Sequence, residues 1–382
     1  MSLSRTLRIA NRPVSEYTFD NGFRLLVVIK RSAPVVGFFR AVEAGSADEP
    51  GLVGRGVAHF IEHMDFRKQE KKTWGLEKQY GVELNAYTNE YMTGYHEVGH
   101  KNQWETMLRD DFVRFQNKEV PKEWLKTEMQ AVLNEEDRGN NASGVLWRET
   151  PKRALAKSHY REDTIGERED ILNAKAEQMT KFREHFYVPN NTTLIVAGDV
   201  DPSQVVQLVG ETYGTLPRAA DVIHSNPVEP PKNGKKHADI ERPAPCTMFT
   251  ISYPAPHSQT HSSAIASVLE QIWDMRGEKY VKNTDLHSVS MYAARMRDPF
   301  LLVVCGSIPG ANKQQSQRII DSLQRDLANF TPTADELERA KKHLDTAHKA
   351  SFSSVMNIIQ TLGASAGLGD WTDAEKHAKA IQ

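Results

Sequence analysis

Cysteine is scarce in this sequence, and long apolar runs are missing. Cys246 and Cys305 are the two cysteines in a chain of 382 residues. They are too few for a disulfide framework, so the fold must rest on apolar cores. No apolar run approaches the length of about 20 residues that spans a bilayer, and the N-terminus lacks the order of a signal peptide. We therefore expect a soluble protein with no membrane partner, and the sequence leaves open whether it is periplasmic or cytoplasmic.

An excess of charge of either sign is also missing. Lysine and arginine number 48 against 50 acidic residues, which gives a formal net charge of -2. Charge therefore gives no reason to expect a nucleic acid as partner. The 39% of hydrophobic and 26% of charged residues are ordinary for a globular protein, and the length allows two or more domains.

The hydrophobic pattern predicts an α+β fold. Residues 14–45 have the alternation of strands, with a tight turn at Asn21-Gly22, and several helices are indicated from about 103 to 187. The strand "NTTLIVAGDV" follows them. A similar order returns from "CTMFTISY" onward. We predict two homologous domains, each an antiparallel sheet with helices packed mainly on one face.

A proline-rich segment separates these domains. Six prolines lie between residues 217 and 245, among Asn, Gly and Lys. We predict a first domain at 1–220, a linker at 221–243 and a second domain at 244–382. The second domain has no counterpart of the strand "NTTLIVAGDV", so we expect it to be incomplete at its C-terminus.

The stretch "HFIEHMDF", residues 59–66, carries the first chemical signal. On a helix, His59, Glu62 and His63 lie together on the side opposite the apolar residues. Two histidines four positions apart can bind one Zn²⁺ through their ring nitrogens. A catalytic site then needs a third protein ligand and an open position for water.

The best candidate for that ligand lies in "PKEWLKTEMQAVLNEEDRG". Glu128 and Glu135 fall within the apolar arc of this predicted helix, where an unpaired carboxylate would be costly to bury. We predict Glu135 as the third ligand and Glu128 as a carboxylate just outside the ligand sphere. Glu62 lies beside His63 and can act as general base on a zinc-bound water.

Two alternatives remain open at this point. The histidines of a bare His-x-x-Glu-His can be ordinary core or surface residues. A competing zinc motif is "HEVGH", His96–His100, which would need a helix although its surroundings alternate like a strand and contain two glycines. Zinc stoichiometry in His59→Ala and His96→Ala separates the two motifs.

The sequence resembles the pitrilysin, insulin-degrading enzyme and mitochondrial processing peptidase family, the inverzincins. The resemblance is carried, in order, by "HFIEHMDF", "LNAYTNEYMTGY", "TEMQAVLNEE" and "FYVPNNTTLIVAGD". It implies one zinc ion per chain, held by His59, His63 and Glu135, with catalysis by Glu62 and support from Glu128. It also implies a catalytic first domain and a non-catalytic second domain.

The same resemblance implies how a peptide substrate would bind. The peptide would add as a strand along the edge formed by Asn85, Ala86, Tyr87 and Thr88. Two bowl-like halves would close around it, the second half being a partner subunit, in a homo- or heterodimer, or a missing C-terminal part of the chain.

One segment departs from the family pattern. The second domain has "YVKNTDLHSVSMYA", with His287 where the family has a tyrosine and no arginine closely before it. Lys282 and His287 are read as surface groups, so the groups that stabilise the oxyanion must come from elsewhere. The expected function is a zinc endopeptidase for oligopeptides or unfolded segments. The alternative is one subunit of a two-part peptidase, inactive without its partner or missing half. Asn85 also has a simpler reading, as a strand residue that caps its own backbone.

Overall fold

The computed structural model describes residues 2–67, 76–224, 226–232, 234–255, 261–282, 284–310 and 312–382. The chain forms two compact units, each built from three segments. Unit 1 consists of Met1–Glu136, Glu162–Asn226 and Lys349–Glu375, and unit 2 consists of Asp137–Arg161, Pro227–His348 and Lys376–Gln382. The predicted domains are continuous stretches of sequence. The compact units are not, because unit 1 includes Lys349–Glu375 from the second half of the chain and unit 2 includes Asp137–Arg161 from the first half.

Unit 1 is built on a mixed sheet. Its seven strands among the described residues have the order β1-β2-β3-β7-β4-β6-β5. Neighbouring strands are antiparallel except β3 and β7, which run parallel. The predicted α+β class is confirmed, but this sheet is not wholly antiparallel, because β7 inserts between β3 and β4. The strands are β1 (Ser2–Ile9), β2 (Arg12–Thr18), β3 (Arg24–Ile29), β4 (Val35–Val42), β5 (Glu83–Thr88), β6 (Thr93–His100) and β7 (Thr192–Gly198).

The described helices come from both halves of the chain. The helices of the first half of the chain are α1 (Val57–Arg67), α2 (described at 76–80), α3 (Trp104–Gln116), α4 (Lys122–Gly139), α5 (Ala142–Ala154), α6 (Arg168–Leu172), α7 (Ala176–Phe186) and α8 (Pro202–Glu211). The helices of the second half are α9 (His261–Lys282), α10 (Lys313–Ala328), α11 (Ala334–Ala350), α12 (Val355–Gly367) and α13 (Asp373–Ile381). None of these described helices combines the length and apolarity needed to cross a membrane.

The main core of unit 1 lies between the sheet and helices α1, α3, α4, α7 and α8. Val36 and Phe38 of β4 belong to it, together with Phe60 and Met64 of α1. On the other face of the sheet, α12 approaches β4 so closely that a Cβ on Gly363 would lie 2.3 Å from the ring of Phe39. Glycine is therefore required there, and a helix from the end of the chain completes the first unit.

Unit 2 has a smaller, antiparallel sheet. Its strands among the described residues are β8 (Cys246–Pro254), β9 (Ser288–Ala293) and β10 (Leu301–Pro309), in the order β8-β10-β9. Phe249, Val304 and Ile308 of this sheet pack with Trp273 of α9 and Leu323 of α10. Helix α5, from the first half of the chain, belongs to this unit.

Candidate metal centre

The start of helix α1 is fixed by a glycine, Gly56, and by the carboxylate of Glu49. The φ of Gly56 is +76°, and a Cβ there would lie 2.5 Å from the carbonyl oxygen of Ile165, so glycine is required. Glu49, which is 1% exposed, accepts hydrogen bonds from the N–H groups of Gly56 and Ala58 at 2.8 and 2.7 Å. The N–H groups of a first helical turn lack partners within the helix. The Glu49 carboxylate is the acceptor for two N–H groups at this end and thereby holds the start of α1.

The other end of α1 is held by buried ion pairs. Asp65 pairs with Arg183 of α7 and lies 3.5 Å from Arg40 of β4, and all three side chains are at most 1% exposed. Arg183 also donates to the backbone oxygen of Arg114 at 2.9 Å. Buried charges are tolerated when they are paired, and removing one partner is costly. The second half of α1 is therefore locked to the sheet and to α7.

These ion pairs belong to a larger charged cluster inside unit 1. Both carboxylate oxygens of Asp111 accept from Arg40 at 3.0 Å, and the Tyr213 hydroxyl donates to the same carboxylate. Arg114 pairs with Glu97 and with Asp111. Burial raises the pKa of Tyr213, and the neighbouring Asp111 raises it further. The cluster joins α1, α3 and α7 to strands β4 and β6.

Helix α4 brings the two predicted glutamates to α1. Glu128 is 7% exposed, and its Oε2 lies 3.0 Å from Nδ1 of His63. Oε2 of Glu135 lies 3.4 Å from Nε2 of His59 and 3.4 Å from Nε2 of His63. The Glu135 side chain is half-exposed, unlike that of Glu128. The structure therefore brings together the predicted ligands and the predicted supporting carboxylate.

The donor set has the spacing that zinc requires. One ligand atom each from His59, His63 and Glu135 can be chosen so that all three lie within 4.8 Å of one another. Tetrahedral zinc with Zn–N distances of about 2.0–2.1 Å places neighbouring ligand atoms about 3.4 Å apart. When Nδ1 of His63 donates its proton to Glu128, the lone pair of Nε2 is left for a metal. These residues fit a zinc ion.

Burial sets the charge state of the groups at this centre. It lowers the pKa of His59, as does the neighbouring His63 ring, while Glu135 opposes the change. The ring is therefore neutral near pH 7, which is the form that binds metals. Burial raises the pKa of Glu62, and a hydrogen bond from the Thr88 hydroxyl, with an oxygen-to-oxygen distance of 2.7 Å, lowers it in part. A raised pKa suits a carboxylate that must accept a proton.

The predicted substrate strand is an edge of the sheet. β5 pairs with β6 and is the last strand in the sheet order of the described residues. The side-chain oxygen of Asn85 accepts from the N–H of Ala86 at 2.9 Å, which is the capping role of the simpler reading. Tyr87 packs edge-on to Phe39. Thr88, at the end of the strand, is the member of the predicted set whose side chain contacts Glu62.

The competing motif "HEVGH" lies on strand β6. Positions four apart on a strand are separated by about 13 Å, so His96 and His100 do not converge as helical neighbours would. His96 stacks on Phe39, and the His100 ring accepts from the N–H of Asn102. In the described part of the chain, these two histidines join no cluster suited to a metal.

Sequence reasoning missed the residues that hold this centre in place. Glu49 precedes α1 by eight positions, Arg183 lies in another helix, and no local pattern links either one to the histidines. The signal that could have been used is Asp65, a charged residue beside the apolar face of α1, because a buried aspartate needs a cationic partner.

The two groups of unit 2 singled out in the sequence lie at the surface. His287 is exposed, and its backbone N–H donates to the carbonyl of Ser307 at 2.8 Å. Lys282 is also exposed.

Comparison with known families agrees with this geometry. Residues 27–162 match the model described as Insulinase (Peptidase family M16), and residues 173–344 match the Peptidase M16 inactive domain. The chain belongs to peptidase family M16. The resemblance noted in the sequence is thus confirmed.

Individual relatives of this M16 chain are distant. It is 26% identical over 304 residues to the probable zinc protease PqqL of Escherichia coli, an alignment that covers 72% of this chain and 32% of PqqL. It is 25% identical to core protein I of the mitochondrial ubiquinol-cytochrome-c reductase complex of Euglena gracilis, over 94% of this chain and 79% of that protein. The chain thus spans about a third of PqqL.

A solved structure supports the fold of this M16 chain. The structure of a protease from Helicobacter pylori superposes with a TM-score of 0.86 at 19% identity, covering 96% of this chain and 92% of that one. At that identity the likeness concerns the fold alone. Together, the comparisons establish the fold and the family, in which PqqL of Escherichia coli and PqqE of Helicobacter pylori are named zinc proteases.

Proposed function

We propose that this chain is a zinc-dependent endopeptidase that hydrolyses oligopeptides or unfolded polypeptide segments. The observation that carries the proposal is the convergence of His59, His63 and Glu135 beside the half-buried carboxylate of Glu62. When bound, a zinc ion supplies a Lewis acid that polarises a peptide carbonyl and makes water more acidic. The remaining steps belong to residues of the chain itself.

Glu62 is the proposed general base. Glu62 lies next to His63, on the side of α1 that carries the metal ligands. Its carboxylate is therefore available to take a proton from the attacking water and later to return it to the departing amine. Glu128 accepts from Nδ1 of His63 and fixes the orientation of that ring. The buried ion pairs of Asp65 prevent the second half of α1 from turning away.

The edge of β5 that pairs with no strand among the described residues is the proposed site for the peptide. A substrate that adds as a strand would be held by main-chain hydrogen bonds, which demand little of its sequence. We further propose that the peptide is enclosed in a chamber whose second half comes from a partner subunit or from a further part of the protein. The match of this chain to about a third of PqqL is compatible with that arrangement.

A peptide-cleavage assay tests the proposed function. We expect the zinc-loaded protein to cleave an unstructured fluorogenic peptide, a chelator to abolish cleavage, and added zinc to restore it. Glu62→Gln should lower kcat by about 10²–10⁴-fold and still bind zinc. Glu270→Gln is the matched control, since Glu270 of α9 also accepts a hydrogen bond, from the N–H of Ala293. Cleavage that survives in Glu62→Gln would contradict the assignment of the base.

The second candidate is a subunit that needs a partner to act. It is favoured by His287, which stands where the family has a tyrosine, and by the similarity to a core protein of a respiratory complex. If the zinc-loaded protein cleaves no peptide alone but gains activity when a second M16 protein from the same source is added, this candidate is correct. Measured zinc binding then separates a metal-binding subunit from a purely structural one.

A further inference from the structure

The hydroxyl of Thr88 joins two parts of the centre that are far apart in the sequence. Oγ1 of Thr88 donates to Oε2 of Glu62, with 2.7 Å between the oxygens. Thr88 is the last residue of β5, the strand along which the peptide is proposed to bind, whereas Glu62 lies on α1. The proposed base is therefore bonded to the proposed substrate strand.

Thr88 is the rigid member of this pair. Its backbone is held in the sheet, where β5 pairs with β6 and Thr88 lies opposite Thr93. A β-branched side chain has few accessible rotamers, whereas a glutamate turns about three bonds. Among the described residues, Thr88 is the one hydrogen-bond donor to the Glu62 carboxylate. The sheet thus decides where that carboxylate is held.

We propose that Thr88 is a positioning residue, which holds one oxygen of Glu62 and leaves the other free to accept the proton of the attacking water. This inference rests on the proposed function of Glu62. It adds a role that main-chain binding of the peptide does not require. Because one strand would align both the scissile bond and the base, the two would stay in register with each other.

Loss of the hydroxyl should affect the chemical step more than substrate binding. Without Thr88 Oγ1, the Glu62 carboxylate can rotate away from the water, and misplacing a catalytic group by about 1 Å costs about 100-fold in rate. The peptide is expected to be bound by the backbone of β5, which the substitution leaves in place. Removing an interaction that acts only in the transition state lowers kcat without raising KM.

Two substitutions at Thr88 and one control test the proposal. Thr88→Val keeps the shape and removes the hydroxyl, while Thr88→Ser keeps the hydroxyl. The control is Thr93→Val, because Thr93 is a buried threonine on the paired strand whose hydroxyl donates to the Ala44 carbonyl instead. Zinc content, thermal stability, kcat and KM are measured for each zinc-loaded protein.

We expect Thr88→Val to bind zinc normally and to lose about 10- to 100-fold in kcat, with KM changed by less than about twofold. Thr88→Ser should recover most of that loss. Thr93→Val should keep kcat and melt at a lower temperature. The proposal is overturned if Thr88→Val keeps the wild-type kcat, if Thr88→Ser is as impaired as Thr88→Val, or if KM alone changes.

A crystallographic readout needs no activity. In zinc-free crystals, Glu62 should keep one rotamer in the wild type and in Thr88→Ser but occupy several in Thr88→Val. A single unchanged rotamer in Thr88→Val contradicts the proposal. If the wild type cleaves nothing or ignores chelation, the proposed function fails, and the crystal structures still decide whether Thr88 positions Glu62.

Discussion

Helices α1 and α9 have the same place in the two repeats, yet they are held in different ways. Each follows a sheet strand and precedes an antiparallel strand pair. α1 has 11 residues and is fixed at both ends by buried carboxylates, Glu49 and Asp65. α9 has 22 residues and is held mainly by apolar side chains such as Ile272 and Trp273.

The difference follows from what each helix carries. In the described part of unit 2, no three acidic, histidine or cysteine side chains come together as they do in unit 1. Apolar contacts are non-directional and tolerate small shifts of a helix. Paired charges with hydrogen bonds fix direction as well as distance. We infer that the directional interactions hold α1 because its histidines must meet Glu135 with little tolerance.

Removing a histidine from each unit should give the largest contrast. We expect His63→Ala to reduce bound zinc from one per chain to nearly none and to abolish peptide cleavage, because two donors cannot hold the ion. His377→Ala is the counterpart in unit 2, where His377 contacts Ser263 and Ser267. It should keep its zinc and lose only stability. Metal analysis after dialysis measures the difference, and equal zinc loss in both variants would remove the contrast.

Breaking one ion pair in each unit should give a smaller contrast, in stability. Asp65→Asn leaves the buried Arg183 without its charged partner and removes one of the two carboxylates that face Arg40, so it should cost about 3–5 kcal/mol. Glu336→Gln breaks the pair with Arg276, whose side chain is 33% exposed, and should cost about 1 kcal/mol or less. Denaturant unfolding, followed by the same spectroscopic signal for each protein, measures the loss of unfolding free energy in both variants. Similar losses would show that the two helices are held alike.

The smallest expected effect is a pH dependence located in unit 2. Burial, followed by Arg295 and His348, lowers the pKa of His377 from 6.5 to about 4. As the pH falls below 6.5, His377 becomes protonated in the unfolded chain but stays neutral in the folded chain. The free energy of unfolding therefore decreases as the pH falls, down to about pH 4. Between pH 7 and 5.5 the loss should be about 1 kcal/mol.

The variant His377→Gln isolates that contribution. Glutamine keeps a hydrogen-bonding side chain but cannot titrate. The difference in unfolding free energy between wild type and His377→Gln should therefore shrink as the pH falls from 7 to 5.5. A difference that stays constant over this range would show that His377 protonates equally in both states.

The elements that the sequence predicts well are those with a strong local period. Helices α1 and α4 are predicted from their apolar arcs and the strands within residues 14–45 from alternation, and the α+β class follows from the order of strands and helices. The parallel pairing of β3 with β7 was not predicted, since periodicity identifies a strand but not its neighbour. The sequence also does not predict that α12, from the second half of the chain, belongs to unit 1. An apolar helix face indicates burial but does not indicate which sheet the helix covers.

The sequence by itself determined which side chains α1 and α4 would present: two histidines and a glutamate on one face, and two glutamates where apolar residues were expected. Helical geometry makes such placement readable within a few turns. Only the tertiary structure decided that Glu49 and Arg183 would hold helix α1 and that Thr88 would bond to Glu62. The contacts of Arg183 and Thr88 join residues far apart in the sequence, whereas Glu49 is separated from its partners by 7 and 9 positions. In each case packing and the need to pair buried polar groups select the partner, and the periodicity of the sequence does not record that choice.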